Sequence, residues 1–427
     1  MTTTDRSVLI SGASIAGPAL AYWLRAHGFT PTVLERAPRL RHGGYAIDVR
    51  GTAVDVVERM GLLPAARRAY TQMRTFSTVK RDGRPGIEVS LALFGQDEST
   101  PDVELMRGHL SQLLYQATRD DVEYVFGDSI TEMTETAEGV RVSFENGAPR
   151  TFGLVVGADG LHSNVRRLAF GPEERFRRYL GRYISIFSVP NHLGLDREVR
   201  LFNTPNRLTA VYSSAPHTGR IEPPLPGEET DPGANPEAKA IVAFATRREV
   251  PFDHRDTAAQ KRIIAAVFAR EGWEAPRILR EMWNADDFYF DTVSQIHMDR
   301  WSHGRVTLVG DAAHCPSPMS GQGTSLALVG AYTLAGELAA ATGDHTTAFA
   351  RYESRMRGFA EQNQAIASSG LGIITPTTRT GIWLRDEGLR LASRMPGLAR
   401  RADPVQKAAN AIDLPDYSSP RRLREGA

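Results

Sequence analysis

The sequence is poor in cysteine and lysine. Cys315 is the single cysteine among 427 residues, which excludes an intramolecular disulfide and a cysteine-based metal cluster and fits a reducing cytosol. The lysines are Lys80, Lys239, Lys261 and Lys407, so arginine carries most of the positive charge. These absences direct attention away from disulfide-rich secreted proteins and towards an ordinary intracellular globular chain.

Charge and hydropathy exclude further classes of partner. The net charge is +1, which gives no electrostatic reason to expect binding to nucleic acid or to a membrane surface. The longest apolar stretch, residues 326–341, is interrupted by Glu337 and is too short to span a bilayer comfortably. The polar residues 1–7 lead straight into a strand and a glycine turn, unlike a signal peptide. We therefore expect a cytoplasmic protein without a nucleic-acid or membrane partner.

The chain opens with the pattern of a βαβ unit. A short apolar run at 7–10 enters a glycine turn, a helical pattern ends at Gly28, and a second strand follows at 32–35, the arrangement of a dinucleotide-binding half-domain. Residues 37–51 are rich in arginine and glycine, and we predict a mobile loop there. From about 177 to 291 the alternating runs predict an antiparallel sheet, before a buried strand at 305–309 returns to the first domain.

The first motif is Gly12-Ala13-Ser14-Ile15-Ala16-Gly17, followed by Glu35 at the end of the second strand. Glycine permits the tight bend and leaves backbone N–H groups at a helix N-terminus free for a pyrophosphate. An acid at the second strand end suits a ribose diol. Ser14 stands where such turns usually have glycine. A glycine turn without a ligand is the simpler alternative.

Two further motifs place carboxylates in strand-to-helix turns. Gly157-Ala158-Asp159-Gly160 leads into a helix that Ser163 could cap, and Gly310-Asp311 is followed by Pro318 and the 321–323 Gly-Gln-Gly sequence, which opens a long helix. A helix N-terminus favours developing negative charge, such as that of a reduced flavin. Taken singly, each is equally consistent with an ordinary buried strand and a capped helix.

The three motifs, in this order, resemble the flavoprotein aromatic hydroxylase family, the single-component FAD monooxygenases typified by para-hydroxybenzoate hydroxylase. The sequence is most similar to the branch of tetracycline-degrading and antibiotic-tailoring enzymes, over roughly residues 5–370. The resemblance implies an α/β fold: a Rossmann-like FAD-binding domain, an inserted antiparallel β-sheet substrate domain and a C-terminal helical region. The expected boundaries are 1–73, 102–176 and 291–374 for the FAD-binding domain, 74–101 and 177–290 for the substrate domain, and 375–427 for the helical region.

The resemblance also assigns roles to individual residues. The first turn would hold the FAD pyrophosphate, Glu35 the adenosine ribose, and Arg36 would flank the adenosine. Arg107 would reach the pyrophosphate and Asp311 the ribityl chain, while Asp159 belongs to a motif used for FAD and NAD(P)H. The expected cofactor contacts are Gly12, Ser14, Ile15, Ala16, Gly17, Glu35, Arg36, Arg41, Asp48, Arg107, Asp159, Asp311, Pro318, Gly321, Gln322, Gly323 and Thr324.

Two of these positions, and the neighbouring Ser325, carry specific questions. Arg41 lies where similar enzymes contact NAD(P)H, and a solvated surface charge is the alternative. Asp48 resembles a flavin-proximal carboxylate of the tetracycline-degrading branch. Ser325 stands where the family often has asparagine, which puts one flavin contact in doubt.

The chemistry implied by the resemblance is flavin-based. NADPH or NADH would reduce FAD, and reaction with molecular oxygen would give a flavin C4a-hydroperoxide that hydroxylates a small aromatic, polyketide or antibiotic-like substrate. Hence we expect no catalytic dyad. The sequence shows no zinc-like spacing of His, Asp or Glu, so we expect no metal, and it leaves the oligomeric state open. Phe187, Phe202 and Tyr212 alternate in predicted strands and are candidates to line the substrate pocket, although they could equally be core residues.

Alternatives to a hydroxylase remain. A flavin-dependent halogenase would carry a Trp-x-Trp-x-Ile-Pro motif, whereas Trp273, Trp283 and Trp301 are isolated. An FAD-dependent reductase or dehydrogenase of the same fold, without oxygen insertion, and a non-catalytic FAD-binding protein both stay open. The neighbours His314 and Cys315 suggest a thiol nucleophile, but adjacent side chains leaving a strand point apart, so we do not expect one.

Overall fold

The structure, a computed structural model, describes residues 5–40, 44–94, 101–214, 236–394 and 404–417. Its strands form a six-stranded, a seven-stranded, a three-stranded and a two-stranded sheet. Numbered along the chain, the strands are β1 (Ser7–Ser11), β2 (Thr30–Glu35), β3 (Ala46–Val49), β4 (Thr75–Val79), β5 (Pro85–Ser90), β6 (Val103–Met106), β7 (Glu123–Phe126), β8 (Ile130–Glu135), β9 (Val140–Phe144), β10 (Arg150–Phe152), β11 (Leu154–Gly157), β12 (Arg177–Pro190), β13 (Glu198–Thr204), β14 (Arg207–Ser213), β15 (Glu237–Ala245), β16 (Tyr289–Ile296), β17 (Ser302–His303) and β18 (Val306–Leu308).

The helices are short in the first part of the chain and long in the last. Three short 3-10 turns, at Leu91–Phe94, Glu173–Arg175 and Pro318–Ser320, supplement them. The α-helices are α1 (Ala16–Ala26), α2 (Thr52–Arg59), α3 (Leu63–Arg68), α4 (Arg107–Gln116), α5 (Asn164–Phe170), α6 (Thr257–Phe268), α7 (Ala275–Met282), α8 (Asp311–His314), α9 (Gly323–Ala340), α10 (His345–Ile374), α11 (Arg379–Ser393) and α12 (Pro404–Ala409).

The six-stranded sheet carries the dinucleotide-binding topology. Its order is β17-β18-β11-β1-β2-β7, and every neighbouring pair is parallel except that of the edge strand β17. The apolar runs of its central strands are buried on both faces, as a parallel sheet covered by helices requires. The expected βαβ unit, β1-α1-β2, is confirmed.

Helix α9 lies at the centre of the helical layer. Its residues are buried continuously from Thr324 to Leu338, and a helix that is apolar all round must be covered on all sides. It packs against α1, α2 and α10. This long buried helix holds its own N-terminus rigidly at the edge of the sheet.

The seven-stranded sheet has the order β16-β12-β15-β14-β13-β4-β5. Its pairs are antiparallel, as expected, except β13 with β4, which is parallel. The mixed pairing arises because β4 and β5 come from a segment far earlier in the chain. Strand β16 continues to Ile296, beyond the boundary expected at 290, and Ile296 belongs to the core of the first domain.

The two faces of this sheet have different neighbours. Tyr183, Phe187 and Val242 lie in a core together with residues of α6 and α7. The opposite face, with Ile184, Leu208 and Val293 among its buried residues, packs against Tyr45 and Met319 of the first domain. Alternation along the strands therefore gives one face to the helical cover and the other to the domain interface.

The segment 37–51 differs from its expectation as a loop. Residues 46–49 form β3, which pairs antiparallel with β6. Residues 41–43 lie outside the described part of the chain. The arginine and glycine content suggested a loop, but the Ala-Ile-Asp-Val sequence alternates in burial as a strand does.

The described parts of the C-terminal region contain helices α11 and α12, as expected, and the last described segment returns to the first domain. Tyr332 Oη donates to the carbonyl of Pro415 at 2.7 Å, and Thr52 Oγ1 donates to that of Ile412 at 3.2 Å. Tyr417 Oη donates to Glu337 Oε1 at 2.7 Å. Glu337 is 2% exposed in a buried helix, and the Tyr417 hydroxyl supplies a partner that its buried carboxylate needs.

Among the described residues, no helix combines the length and the apolar character that crossing a bilayer would require.

Gly336 tests whether this C-terminal segment contributes to stability. A Cβ added at Gly336 would lie 2.1 Å from the Tyr417 ring, so Gly336→Ala should displace Tyr417 and lower the free energy of unfolding by about 1–3 kcal/mol. Gly358→Ala is the matched control, because a Cβ there meets nothing within 4 Å and alanine favours a helix by about 0.5–1 kcal/mol. Urea unfolding measures both; equal effects of the two variants would contradict the packing described.

Candidate active site

The three turns singled out in the sequence meet at one edge of the six-stranded sheet. Ser11 at the end of β1 is in register with Gly157 at the end of β11, and Gly157 is in register with Leu308 at the end of β18. Ligands of open α/β sheets bind at the carboxyl ends of the strands. The structure therefore brings together motifs that are about 150 residues apart in sequence.

The first turn is built by a very close backbone approach. Gly12 has φ +110°, and a Cβ there would lie 2.4 Å from the carbonyl oxygen of Ala158. A Cβ on Gly17 would lie 1.9 Å from the carbonyl oxygen of Gly12. Only glycine fits either position, and the result is that α1 begins directly over the turn.

The N-terminus of α1 is free to bind an anion. Its N-cap residue Ile15 contributes no side-chain hydrogen bond, and its first turn contains no acidic side chain. The first N–H groups of a helix have no partner inside the helix, and the helix dipole favours negative charge there. Ser14, Ile15 and Ala16 thus stand at a position suited to a phosphate group.

The expected ribose and adenosine contacts lie beside this turn. Glu35 Oε2 accepts from the Ala13 N–H at 3.0 Å, and Oε1 accepts from the Ala37 N–H at 2.9 Å. A carboxylate has further lone pairs, so both bonds are compatible with a diol. Arg36 is exposed, and Arg41 lies outside the described residues.

Asp159 organises the second turn. Its carboxylate accepts from the Val165 N–H at 3.0 Å, from Ser11 Oγ at 3.4 Å and from Ser163 Oγ. Burial raises its pKa, and these hydrogen bonds oppose the rise. Ser163 also caps α5 by accepting from the Arg166 N–H, as the sequence predicted.

Arg166 connects the second turn to the third, which sequence reasoning did not anticipate. Its side chain is fully buried and donates to the carbonyls of Ala312 at 3.0 Å and Leu161 at 2.6 Å and to Glu173 Oε2 at 3.0 Å. A buried guanidinium needs such partners. Arg166 is therefore a structural link between motifs.

In the third turn, Asp311 and Asp48 lie against the start of α9. A Cβ on Gly323 would lie 3.6 Å from Asp311 Oδ1, and one on Gly321 would lie 3.5 Å from Asp48 Oδ2. Gly321 has φ +66°, which favours glycine, and Pro318 begins the short turn that precedes it. The structure thus groups two carboxylates with the glycines of the helix start.

The side chains of Gln322 and Ser325 differ in their hydrogen bonding. The Gln322 side chain is fully buried, and neither its Oε1 nor its Nε2 has a hydrogen-bond partner within the described chain. Buried polar groups without partners call for an explanation such as a bound group. Ser325, in contrast, accepts from the Arg50 N–H at 3.3 Å, so it anchors the residue that follows β3. Thr324, between them, is also buried.

Arg107 occupies the centre of the site. It begins α4, and its N–H donates to the Tyr45 carbonyl at 3.0 Å. Burial raises the pKa of Asp311 and of Tyr45, and the Arg107 charge opposes both rises. Tyr45, Arg107 and Asp311 all retain accessible surface, so they border an accessible space, called the cleft below.

Across this cleft lies the interface face of the seven-stranded sheet. Tyr289 contacts Tyr45 with ring centroids 6.0 Å apart, and burial raises the pKa of Tyr289 well above its ordinary value. Tyr212 is on the same face, where its hydroxyl accepts from the Ala46 N–H at 3.1 Å. Sequence reasoning missed Tyr45 and Tyr289, because nothing in a single strand indicates which domain it faces.

Phe187 and Phe202 do not line the cleft, which corrects the expectation for these two residues. Phe187 is fully buried in the core beneath α6 and α7. Phe202 alternates with Leu201 of the interface face and instead approaches Trp273, with centroids 6.4 Å apart. Both are core residues, the alternative that the sequence left open.

His314 and Cys315 form no nucleophilic pair. The His314 ring packs on Trp301 at 4.6 Å, and burial lowers its pKa to about 4. Cys315 is buried, which raises the pKa of its thiol well above the ordinary value, and Sγ donates to the Ser294 carbonyl at 3.8 Å. Because the thiol and the imidazole are both neutral, this pair provides no activated nucleophile.

Taken together, the parallel sheet, the glycine turns and the cleft define a dinucleotide-binding protein. Residues 5–367 match the family described as FAD binding domain. The chain belongs to this FAD-binding family, which confirms the resemblance seen in the sequence.

Curated relatives point to the same class of enzyme. The chain is 48% identical to an uncharacterized protein of Mycobacterium tuberculosis, over 86% of this chain and 94% of that protein. It is 38% identical to a flavin-dependent monooxygenase of an unknown prokaryotic organism, over 96% of this chain and 99% of that one. The chain is accordingly an FAD-dependent monooxygenase.

Among solved structures, the chain is similar to the tetracycline destructase Tet(55). The TM-score is 0.78 at 36% sequence identity, and the alignment covers 98% of this chain and 100% of that one. The similarity therefore extends into the C-terminal region as well.

The residues present fit FAD. The glycine cradle at Gly12 and Gly17 leaves no room for a side chain, the start of α1 has no capping group, and the Gln322 amide is buried without a partner. These are the features that a pyrophosphate and a flavin edge require of a protein.

Arg107 tests the site, since its guanidinium is expected to bind the pyrophosphate. Arg107→Ala should raise the Kd for FAD by roughly 10- to 100-fold, since a hydrogen bond to a charged group contributes about 1.5–3 kcal/mol. Arg262→Ala is the control, because Arg262 is exposed on α6, outside the three turns, and its loss should change the Kd by less than about threefold. Flavin fluorescence quenching measures both; unchanged FAD affinity in Arg107→Ala would rule out this role.

Proposed function

We propose that this enzyme uses NADH or NADPH to reduce its bound FAD and, with molecular oxygen, hydroxylates an aromatic, polyketide or antibiotic-like small molecule. The observation that carries the proposal is the full-length similarity to the tetracycline destructase Tet(55), at 36% identity. A fungal relative named an FAD-dependent monooxygenase, of Sarocladium schorii, is 30% identical over 98% of this chain. Tetracycline-like fused rings with phenol and enol groups are the substrates to examine first.

The residues of the first two motifs would bind the cofactor. The free N–H groups at the start of α1, around Ser14 to Ala16, and Arg107 would hold the pyrophosphate, and Glu35 would accept from the ribose hydroxyls. Asp159 would act indirectly, because it fixes Ser11 and the start of α5 through the hydrogen bonds described above.

The third motif and Asp48 would surround the flavin. The N-terminus of α9, from Gly321 to Thr324, would stabilise negative charge on the ring system, and Asp311 would accept from the ribityl hydroxyls. When bound, FAD would supply the group that accepts hydride from NAD(P)H and activates oxygen. The protein's own contribution is to position that group and to hold water away from it.

The interface face of the seven-stranded sheet would bind the substrate. It presents the apolar side chains of Ile184 and Ile241 and the aromatic ring of Tyr289, and Tyr45 and Met319 of the first domain lie opposite. Such a surface favours a flat, largely apolar molecule and excludes water from the reacting carbon. Tyr212 would support this wall through its hydrogen bond to the backbone of β3.

Activity is tested with FAD-loaded protein in air, with NADH or NADPH and a panel of tetracyclines, phenols and polyketides. We expect NAD(P)H oxidation that accelerates with a substrate, and a product containing one oxygen atom derived from labelled dioxygen, detected by mass spectrometry. Substrate-stimulated NAD(P)H oxidation without incorporation of oxygen would identify a reductase instead. No stimulation by any compound would leave the substrate proposal unsupported and favour a binding protein.

Two neighbouring residues of β15 test where the substrate lies. Ile241 belongs to the interface face and Val242 to the core beneath α6 and α7. Ile241→Ala should raise the KM of the substrate by roughly tenfold or more through lost apolar contact, with FAD still bound. Val242→Ala should instead lower stability by about 1–3 kcal/mol with little change in KM. Steady-state kinetics and thermal unfolding separate the two, and the reverse pattern would place the substrate on the other face.

A further inference from the structure

A cluster of two histidines and an aspartate lies at the seam between the two large sheets. His162 belongs to the second turn, Asp291 to β16, and His254 to the segment between β15 and α6. One ligand atom from each, a ring nitrogen or a carboxylate oxygen, can be chosen so that all three lie within 4.8 Å of one another. Neither the FAD site nor the substrate face described above uses these three residues.

Asp291 faces His162 with both carboxylate oxygens, Oδ1 at 3.2 Å and Oδ2 at 3.0 Å from Nε2. It is 5% exposed, and its Oδ1 accepts from the Thr292 N–H at 2.7 Å, which fixes the carboxylate. Its Oδ2 lies 3.0 Å from His162 Nε2 and accepts a long hydrogen bond from Tyr289 Oη at 3.4 Å. The carboxylate is thus oriented by the protein.

His162 is held in the orientation of a metal ligand. Its Nδ1 lies 3.0 Å from Glu173 Oε1, so the carboxylate accepts from Nδ1–H and turns Nε2 towards Asp291. Metal-binding histidines are usually oriented by such a carboxylate on the opposite ring nitrogen. Glu173 is in turn held by Arg166 at 3.0 Å and by Arg177 at 3.3 Å.

His254 completes the group from the solvent side. Its ring stacks on that of His162 with centroids 3.7 Å apart and a tilt of 41°, and it packs against Phe252 at 4.6 Å. The residue is exposed, so a small side-chain rotation can bring a ring nitrogen to an ion and an ion can reach the cluster from water.

We propose that His162, His254 and Asp291 bind a divalent transition-metal ion of the zinc type. Two imidazoles and one carboxylate suit such ions, and three protein ligands leave one position for water. The three ligand atoms lie within 4.8 Å of one another, so they would move inward around a central ion to reach the ~2.0–2.2 Å of zinc bonds. Binding replaces the proton on His162 Nε2, which is released to solvent.

The ion would join the two domains. Its ligands come from a turn of the first sheet, from the strand that returns to it and from the outer loop of the second sheet. Because Asp291 also contacts Tyr289, which lines the cleft, the site lies next to the substrate face without being part of it. An ion that binds only this folded arrangement stabilises it by mass action.

The test uses FAD-loaded protein, free of any tag and treated with EDTA. Calorimetric titration with Zn²⁺ should give one site per chain, and Co²⁺ should give ligand-field absorption at wavelengths longer than the flavin bands. Zn²⁺ should raise the Tm. His254→Ala should weaken Zn²⁺ binding at least about tenfold and abolish the cobalt spectrum. His303→Ala, another exposed histidine, is the matched control and should bind like the unaltered protein.

These readouts do not depend on turnover, so their failure is distinct from failure of the proposed hydroxylation. His254→Ala lies on an exposed loop and keeps the His162–Asp291–Glu173 contacts, and its flavin spectrum and Tm without metal report whether it is folded. If Zn²⁺ binds the unaltered protein and folded His254→Ala equally, or binds neither, the proposed site is wrong. A loss confined to His254→Ala supports it.

Discussion

The structure depends on the register of three parallel strands, β1, β11 and β18. Because Ser11, Gly157 and Leu308 lie side by side, the turn that follows each strand emerges at the same edge. The turns pack together only because glycine lets their backbones come very close to one another. A Cβ at Gly12, for example, would collide with the Ala158 carbonyl. Cofactor chemistry is possible at this edge since helix starts, carboxylates and free N–H groups are concentrated there by the register.

Buried polar groups hold these turns together. Asp159 ties the first turn to the second, and Arg166 ties the second to the third through the Ala312 carbonyl. Burying a charged group is unfavourable unless it is paired, and each of these two side chains forms several hydrogen bonds. Glu337 follows the same rule. Its buried carboxylate forms an ion pair with Arg355 and accepts a hydrogen bond from Tyr417, near the end of the described chain. Stability and site geometry thus rest on the same kind of contact.

The second sheet divides two tasks between its faces. One face packs against α6 and α7 as a hydrophobic core. The opposite face is turned towards the first domain, where the cleft lies. Strand β16 carries this division across the boundary between domains, since Tyr289 lines the cleft, Asp291 contacts His162 and Ile296 enters the first core.

Sequence alone determined the features that depend on local backbone chemistry. Glycine at Gly12 and Gly321, an acid at Glu35 and a capping serine at Ser163 act within a few residues of their own position, so the strand-turn-helix units and the FAD-binding class were predictable. Only the tertiary structure decided which face a strand side chain takes, because alternation in Phe187 or Tyr212 says nothing about what lies above each face. It likewise decided the pairing of β4 with β13, the return of the C-terminal segment, and the meeting of His162, His254 and Asp291. Residues so far apart in sequence have no spacing signal, and packing alone brings them together.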